Sequence, residues 1–567
     1  MSDSSYDAIR AGLTAPGAPF ELREQQVAGA PRLIFCNAPQ TLGEVYRGAA
    51  LHEERVLIVH EGAYLTYRDA LRKAAALGAR IERELAARGQ PTRGARVAIA
   101  MHNRPEWMIA FIAITAIGAS AVLINSRGTG AEINAALDEC GARLVIADEA
   151  RARLVGARPL IATGEGAELP AGAIAFDAAL AGWETATLQP VPVEPEDEAV
   201  VMFTSGTTGG AKGALLSHRS VLTGLMNIQY AMAVVGMRLA ALYGQEAMAA
   251  AAAQQPSALL CVPLFHSSGC YAIFLSNFLR GGKIVILPKW NAARAVDLIE
   301  RERVQAFSGS PTMLWDLLRT DRSGRDLSAL VSVGIGGQAL QPQLMREIIA
   351  AFPRAILGAG YGMTEVNGSV CMIAGQDLLD NPTSSGRVIP SAEIRIVDDN
   401  GADVAPGALG EVWIRGAMVM QGYCNRPEAS AEVFRDGWLR TGDMARLDDS
   451  GFLHVVDRKK DIVISGGENI SCTEVESALI EHAAVLETAV FGIDDERLGE
   501  RLVAAVVLAP DQDADADALK QHVAERLAIY KVPREVWFCA PLRRNALGKV
   551  NRAELRREFL ERGARSD

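Results

Sequence analysis

Residues 199–216 read AVVMFTSGTTGGAKGALL. The apolar run 199–203 has the length and character of a buried strand. It empties into Thr204, Ser205, Gly206, Thr207, Thr208, Gly209 and Gly210, and Lys212 follows. Glycines permit the tight turns that let several backbone N–H groups converge on one point. The hydroxyls of Thr204, Ser205, Thr207 and Thr208 add hydrogen-bonding groups, and Lys212 adds positive charge. Together they suit a polyphosphate. The loop is not a Walker A sequence, which needs Gly-Lys-Ser/Thr, because Lys212 stands between Ala211 and Gly213. Apolar runs bound the loop closely on both sides, which argues against a flexible surface linker.

Outward from this loop the chain alternates. After it, Ser217 reads as the N-cap of a helix to about residue 230. Before it, residues 67–88 read as a helix, 97–101 as a strand, Pro105 as the opening of a further helix, and 144–147 as a strand. From residue 283 the order is strand 284–287, helix 292–303, strand 304–308, helix 311–318, strand 330–335, helix 342–351 and strand 355–357. That rhythm implies βαβ units and parallel sheet, with ligands at the carboxyl ends of the strands. Those ends carry Ser308-Gly309-Ser310, Gly336-Gly337-Gln338-Ala339 and Gly360-Tyr361-Gly362-Met363-Thr364-Glu365.

The texture then changes. Residues 392–397 and 410–415 read as a small β unit around the turn Asp398-Asp399-Asn400-Gly401. A charged run, Asp457-Arg458-Lys459-Lys460-Asp461, precedes a compact α+β stretch with helices at 473–482 and 516–529 and strands at 488–492, 502–508 and 535–539. The expected fold is α/β: a large N-terminal domain with parallel βαβ sheets plus a small β unit, and a smaller mobile α+β C-terminal domain. The expected boundaries are 1–456, a hinge at 457–460, and 461–567. Residues 1–45 read as a lead-in arm of little periodicity.

The chain has 567 residues, too many for a single core. Its formal net charge of −11 argues against nucleic acid as a partner. The eight cysteines form no CxxC pair, so neither a zinc site nor a disulfide framework is suggested, and a reducing, cytoplasmic setting is the simple reading. The N-terminus shows no secretion signal. Residues 107–126 are uncharged and near spanning length, but Gly118 and Ser120 divide them into a buried helix and a strand. Peripheral membrane contact and a homodimer stay open at this stage.

The loop at 204–212 resembles the phosphate loop of the adenylate-forming superfamily, which includes acyl-CoA synthetases, adenylation domains of peptide synthetases and luciferases. That family usually has Pro where Ala211 stands. The remaining signatures follow in family order along nearly the whole length. YGMTE at 361–365 matches the second: Tyr361 offers a face for adenine, Thr364 a phosphate contact, and Glu365 a hard oxygen ligand for Mg²⁺. The resemblance implies that Gly360, Gly362 and Met363 border the nucleotide and that Thr204 joins Glu365 at the metal. It places Gly337, Gln338 and Ala339 in the adenine-contacting loop. Asp443, in Thr441-Gly442-Asp443, is placed at the ribose hydroxyls, Arg458 at the ribose or phosphate, and Lys460 at the hinge. Gly466 and Gly467 are implied to border the channel for the CoA arm, with Lys531 and Arg534 as candidates for its phosphates. Lys549, in the last motif, is the implied catalytic lysine. His266, in VPLFHSSG, matches a position that gates the acid pocket or orients the carboxylate.

The resemblance implies an enzyme using ATP, Mg²⁺ and CoA as co-substrate on a small-molecule carboxylic acid. It forms an acyl-AMP first and an acyl-CoA second, with the small domain turning about Lys460 between the steps. No protein nucleophile is needed, and no Ser/His/Asp or Cys/His motif is apparent. The apolar or small candidate pocket residues Met226, Tyr230, Phe265, Ser267, Gly334 and Met363 favour a medium- or long-chain fatty acid. An aryl or other hydrophobic acid is the alternative. An acyl-AMP ligase that loads a carrier protein, a luciferase-like oxygenase and a non-catalytic nucleotide-binding regulator are the rival readings.

Overall fold

The computed structural model describes residues 3–164, 169–204, 211–244, 254–335, 342–465, 468–542, 544 and 550–563. The chain forms two compact units. The first takes in Met1–Thr204, Ala211–Glu393 and Ile414–Leu439, and the second Ser205–Gly210, Ile394–Trp413 and Arg440–Asp567. The segment 457–460 lies inside the second unit.

Besides the two-stranded pair Leu22–Val27 and Ala30–Phe35, the first unit holds strands of two larger sheets. One has the strand order Gly422–Tyr423, Gly213–Ser217, Glu198–Phe203, Ser120–Leu123, Arg96–Ala100, Leu144–Ala147, Leu160–Ala162, Ile174–Ala175. It is parallel from Glu198–Phe203 to its far edge and antiparallel at the near edge. The other is parallel through Val56–His60, Lys283–Ile286, Ser257–Leu260, Ala306–Gly309, Ser332–Ile335 and Ile356–Met363. Gly368–Ala374 then pairs antiparallel with Ile356–Met363.

The alternation anticipated from residue 283 is present, each element within a few residues of its expected place. Local chemistry explains the sharp helix starts. Asn291 accepts from the Arg294 N–H at 2.8 Å, and Ser310 accepts from Met313 with Pro311 at the first helical position. Residues 107–126 are likewise a helix, Pro105–Ala116, then a strand, Ser120–Leu123, with Gly118 at φ +74° making the turn. Trp107 stacks on Phe111 at 5.6 Å, and Phe111 meets Phe274 edge-on at 5.7 Å.

Three expectations need correction. Residues 1–45 are not a featureless arm: they form a helix, Asp3–Thr14, and a hairpin, Leu22–Val27 with Ala30–Phe35. The helix after the phosphate loop runs His218–Tyr243, well past residue 230. Its 218–238 stretch is long and apolar enough to cross a membrane, yet 67% of that apolar window is buried. Finally, the strand read at 355–357 continues to Met363, so Tyr361 and Gly362 belong to a strand and not to a loop. Only glycine fits at Gly362, where a Cβ would lie 1.7 Å from the Gly368 carbonyl oxygen.

Ala392–Val397, Gly410–Gly416, Trp438–Leu447 and Phe452–Arg458 are successive neighbours, and Trp438–Leu447 pairs antiparallel with Phe452–Arg458. The Asp398 carboxylate accepts from the N–H groups of Asn400 and Ala402, fixing the turn at 398–401. A second sheet contains Glu468–Ser471, Ile462–Ser465, Gly499–Leu508, Val485–Asp495 and Glu535–Phe538. Helices Cys472–Ile480 and Ala516–Ala524 cover one face through Val475, Leu479, Leu519 and Val523. Helix Arg552–Gly563 covers the other through Leu555 and Phe559.

Candidate active site

Strand Glu198–Phe203 and strand Gly213–Ser217 pair antiparallel, so the two ends of the glycine loop are held together. The Thr204 N–H donates to the Lys212 carbonyl at 2.9 Å, and the Lys212 N–H donates to Thr204 Oγ1 at 3.3 Å. Thr204 Oγ1 therefore accepts from the chain and keeps its own proton to donate. Ser205, Gly206, Thr207, Thr208 and Gly209 lie outside the described residues.

The short strand Gly422–Tyr423 pairs with Ala214 and Leu215. It sets Tyr423 against Lys212, whose Nζ stands 5.1 Å from the ring centroid. The Tyr423 hydroxyl donates to Glu365 Oε1 at 2.8 Å. Lys212, Tyr423 and Glu365 are thus one connected set. Glu365 is 6% exposed and sits in the short turn Thr364–Val366 that ends strand Ile356–Met363. Asn367 follows at φ +56°, and its side-chain amide donates to the Met418 carbonyl at 2.8 Å. That bond locks the turn that aims Glu365. Gly360, Tyr361, Met363 and Thr364 lie on the same strand and turn, with Tyr361 half-buried opposite Cys371. Gly337, Gln338 and Ala339 lie outside the described residues.

Tyr423 is the functional candidate that the sequence reading missed. A lone Gly-Tyr in a polar stretch carries no periodic signal, and only the sheet pairing brings it under Lys212. The one available clue was its position between two turn-forming residues, Gly422 and Asn425, the latter at φ +51°.

His266 is half-buried at the start of the π-helical stretch Ser268–Leu275, its ring 4.4 Å from that of Phe265. The His266 carbonyl accepts from the Gly269 and Cys270 N–H groups. A Cβ at Gly269 would lie 2.2 Å from the Pro263 carbonyl oxygen, so glycine is required to close this turn. Helices with π geometry are rare and concentrate at functional sites.

Two expected pocket positions are covered by other side chains. Met226 and Tyr230 are sealed in an apolar cluster with Leu13, Phe20, Phe35, Val234 and Ile389. Phe20 meets Tyr230 edge-on at 5.6 Å and Phe35 at 5.9 Å. Tyr230 is 1% exposed. The N-terminal helix and hairpin, unreadable as structure in the sequence, occupy that face of the helix.

In the second unit, Asp443 and Arg458 face each other across the strand pair, with Arg458 Nε 2.7 Å from Asp443 Oδ1. Thr441 Oγ1 accepts from the Asp443 N–H and donates to the Val412 carbonyl, which fixes the Thr-Gly-Asp turn. Burial pushes the Lys460 ammonium below its usual range, against the pull of Asp461 and Asp443. Lys531 is engaged with both oxygens of Glu474 at 2.6 and 2.7 Å, which does not leave it waiting for a phosphate. Gly466 and Gly467 lie outside the described residues. The flanking strands Ile462–Ser465 and Glu468–Ser471 pair antiparallel. Lys549 also lies outside the described residues.

Residues 45–424 match the AMP-binding enzyme family, and residues 474–549 match the AMP-binding enzyme C-terminal domain. The chain is an AMP-binding enzyme. It belongs to the adenylate-forming superfamily and is an AMP-forming acid–thiol ligase of the acyl-CoA synthetase type. It is 34% identical over 521 residues to a feruloyl-CoA synthase of an Amycolatopsis species, covering 90% of this chain and 98% of that one. It is 31% identical over 470 residues to the long-chain-fatty-acid–CoA ligase FadD13 of Mycobacterium tuberculosis, covering 82% of this chain and 88% of that one. Among solved structures it is similar to the o-succinylbenzoate coenzyme A synthetase of Bacillus subtilis in complex with ATP and magnesium ion. That match has a TM-score of 0.74 and 28% identity, and covers 90% of this chain and 98% of that one.

Proposed function

We propose that this ligase activates a compact aryl carboxylic acid and passes it to CoA. The observation that carries the reading is the sealed face of helix His218–Tyr243. Met226 and Tyr230, the positions a long acyl chain would run along, are covered by Leu13, Phe20, Phe35 and Ile389. A flat, short acid needs no space beyond them. The likeness to a feruloyl-CoA synthase and to an o-succinylbenzoate coenzyme A synthetase supports the same choice. The fatty acid favoured by side-chain character alone is the competing substrate.

In the first half-reaction a carboxylate oxygen attacks the α-phosphorus of ATP, and pyrophosphate leaves. The protein contributes position and charge. The hydroxyls and N–H groups of residues 204–209 and the Lys212 ammonium hold the outer phosphates. Tyr423 contacts both Lys212 and Glu365, so that ammonium and that carboxylate keep a set spacing. Glu365 and Thr204 offer one carboxylate and one hydroxyl. Among the described residues no group of three His, Cys, Asp or Glu could hold a metal, so Mg²⁺ shared with the ATP phosphates fits better than a metal caged by protein alone. When bound, that ion neutralises phosphate charge. Tyr361 stacks adenine, and Gly360, Gly362, Met363 and the 337–339 segment border it. Asp443, steadied by Arg458, accepts from the ribose hydroxyls. His266 orients the substrate carboxylate, and Lys549 bridges it to the α-phosphate. In the second half-reaction the segment after the 457–460 hinge turns about Lys460 and brings Gly466 and Gly467 to the site. The CoA thiol attacks the acyl carbon, and AMP leaves. All eight cysteines are unpaired, which supports a reducing, cytoplasmic setting.

The test is acid-dependent ATP–pyrophosphate exchange with ferulate, substituted benzoates, octanoate and palmitate, followed by acyl-CoA formation on addition of CoA. Ferulate or a benzoate should give the highest kcat/KM. Palmitate turning over faster than every aryl acid would refute the aryl reading and leave the ligase activity intact.

A further inference from the structure

The segment that carries Tyr423 is tied down on both sides. Upstream, the Met420 N–H donates to the Glu365 carbonyl at 2.8 Å, and the Gln421 N–H to the Leu215 carbonyl at 2.8 Å. Downstream, the Cys424 N–H donates to the Gly213 carbonyl at 2.7 Å. A Cβ at Gly213 would lie 2.9 Å from Val201 Cγ1 and 3.4 Å from Cys424 Cβ, so glycine lets the chains lie this close. Strand Gly422–Tyr423 has only two residues, fewer than strands usually need, so pairing alone holds the Tyr423 ring weakly.

A second downstream anchor is the end of a helix far earlier in the chain. Helix Gly130–Cys140 carries Asp138 and Glu139 in its last turn, where the helix dipole favours cations over carboxylates. Its final carbonyls also lack partners within the helix. Residues 424–426 answer both needs. Arg426 Nη2 lies 2.5 Å from Glu139 Oε2, Asn425 Nδ2 donates to the Glu139 carbonyl at 2.5 Å, and Cys424 Sγ stands 3.8 Å from that carbonyl oxygen. Asn425 holds φ +51°, a left-handed conformation that Asn tolerates better than most residues. On the other strand, the Gly213 N–H faces Glu139 Oε1 at 3.5 Å. Glu139 therefore grips the neighbour of Lys212 and the neighbours of Tyr423 at once, and its side chain is 14% exposed. A carboxylate kept at the wrong end of a helix dipole, and compensated only from a distant segment, is the kind of local conflict that marks functional surroundings.

We propose that Glu139 is a positioning residue for ATP binding: it clamps residues 424–426 to Gly213 and so holds Tyr423 between Lys212 and Glu365. The inference rests on the ATP roles given above to Lys212 and Glu365.

The experiment compares Glu139→Ala, Glu139→Gln, Asn425→Gly and Lys212→Ala in the full-length enzyme, with Tyr423→Leu as a second background. Acid-dependent ATP–pyrophosphate exchange is run with ferulate, or with palmitate if that is the acid turned over, and the matching acyl-AMP is supplied with CoA to read the second half-reaction. Glu139→Ala should raise KM for MgATP about fivefold, the scale of one partly exposed ion pair. KM for the acid and conversion of supplied acyl-AMP should both stay within about twofold, because neither uses the outer phosphates. Glu139→Gln, which keeps an acceptor for Arg426 and Gly213, should recover part of the loss. Asn425→Gly keeps the left-handed backbone, removes the amide donor and should give a smaller rise of the same kind. In Tyr423→Leu, which lacks both the ring and the hydroxyl, Glu139→Ala should add less than about twofold, since the contacts it holds are already gone. A rise that persists undiminished in Tyr423→Leu would overturn the proposal, as would wild-type ATP dependence in Glu139→Ala. Equal losses in ATP, acid and acyl-AMP kinetics that track a lowered melting temperature would overturn it by showing a structural role only. If Lys212→Ala leaves KM for MgATP unchanged, the phosphate reading itself fails and takes the proposal with it; a raised KM in Lys212→Ala with none in Glu139→Ala sinks the proposal alone.

Discussion

Replacing Tyr423 by Phe removes a single hydroxyl and isolates the link between the phosphate loop and Glu365. The ring remains, so Lys212 Nζ keeps its aromatic face at 5.1 Å. What disappears is the donation to Glu365 Oε1 at 2.8 Å. A hydrogen bond to a charged group contributes roughly 1.5–3 kcal/mol. Glu365 is 6% exposed, so water does not readily replace the lost donor, but it keeps further interactions. The low end, about 1.5 kcal/mol, is therefore expected, and it corresponds to about a tenfold loss. The loss should appear in kcat/KM for ATP in the exchange reaction, with a raised Mg²⁺ requirement. Conversion of supplied acyl-AMP should be unaffected, because pyrophosphate has already left. Tyr423→Leu removes the cation–π contact as well, worth about 0.5–2 kcal/mol, and should be several-fold worse. A double-mutant cycle of Tyr423→Phe with Glu365→Gln should show coupling of the same size. Wild-type ATP and Mg²⁺ dependence in Tyr423→Phe would refute the reasoning, as would identical defects in the Phe and Leu variants.

Lys549→Ala should slow adenylation by about 10²–10³-fold, the scale of losing one electrostatic stabiliser, while thioester formation from supplied acyl-AMP largely survives. Phe20→Ala should cost about 3 kcal/mol of stability in a denaturant titration, toward the lower end for a buried aromatic. It should also raise kcat/KM for octanoate relative to ferulate by opening the cluster around Tyr230; an unchanged ratio would show that the acid ends before that cluster. His218 is 1% exposed, its Nδ1 accepts from the Leu42 N–H at 3.2 Å, and burial lowers its pKa to about 4. Below pH 6.5 the unfolded chain takes up a proton that the folded chain refuses. The contribution is thus complete above pH 6.5 and falls by roughly 3 kcal/mol as pH drops to 4. His218→Asn should flatten the pH dependence of the melting temperature in that window, and an equally steep curve in the variant would count against this account.

The order of elements from residue 283 onward was legible because alternating apolar runs and Ser, Asn and Pro helix starts are local signals. The family was legible because its signatures at 204–212, 361–365 and 441–443 are written in contiguous residues. Other features were decided only in three dimensions. Whether Met226 and Tyr230 line a pocket depends on Phe20 and Phe35, some two hundred residues earlier in the chain. Tyr423 reaches Lys212 and Glu365 only because a two-residue strand pairs with Ala214 and Leu215. Arg552 meets Asp461 only because the last helix docks on the small sheet. A chain states its local preferences and reactive groups in the order of its residues. Which distant side chains close a cavity or share a carboxylate is set by packing, where each contact depends on the placement of every neighbouring element at once.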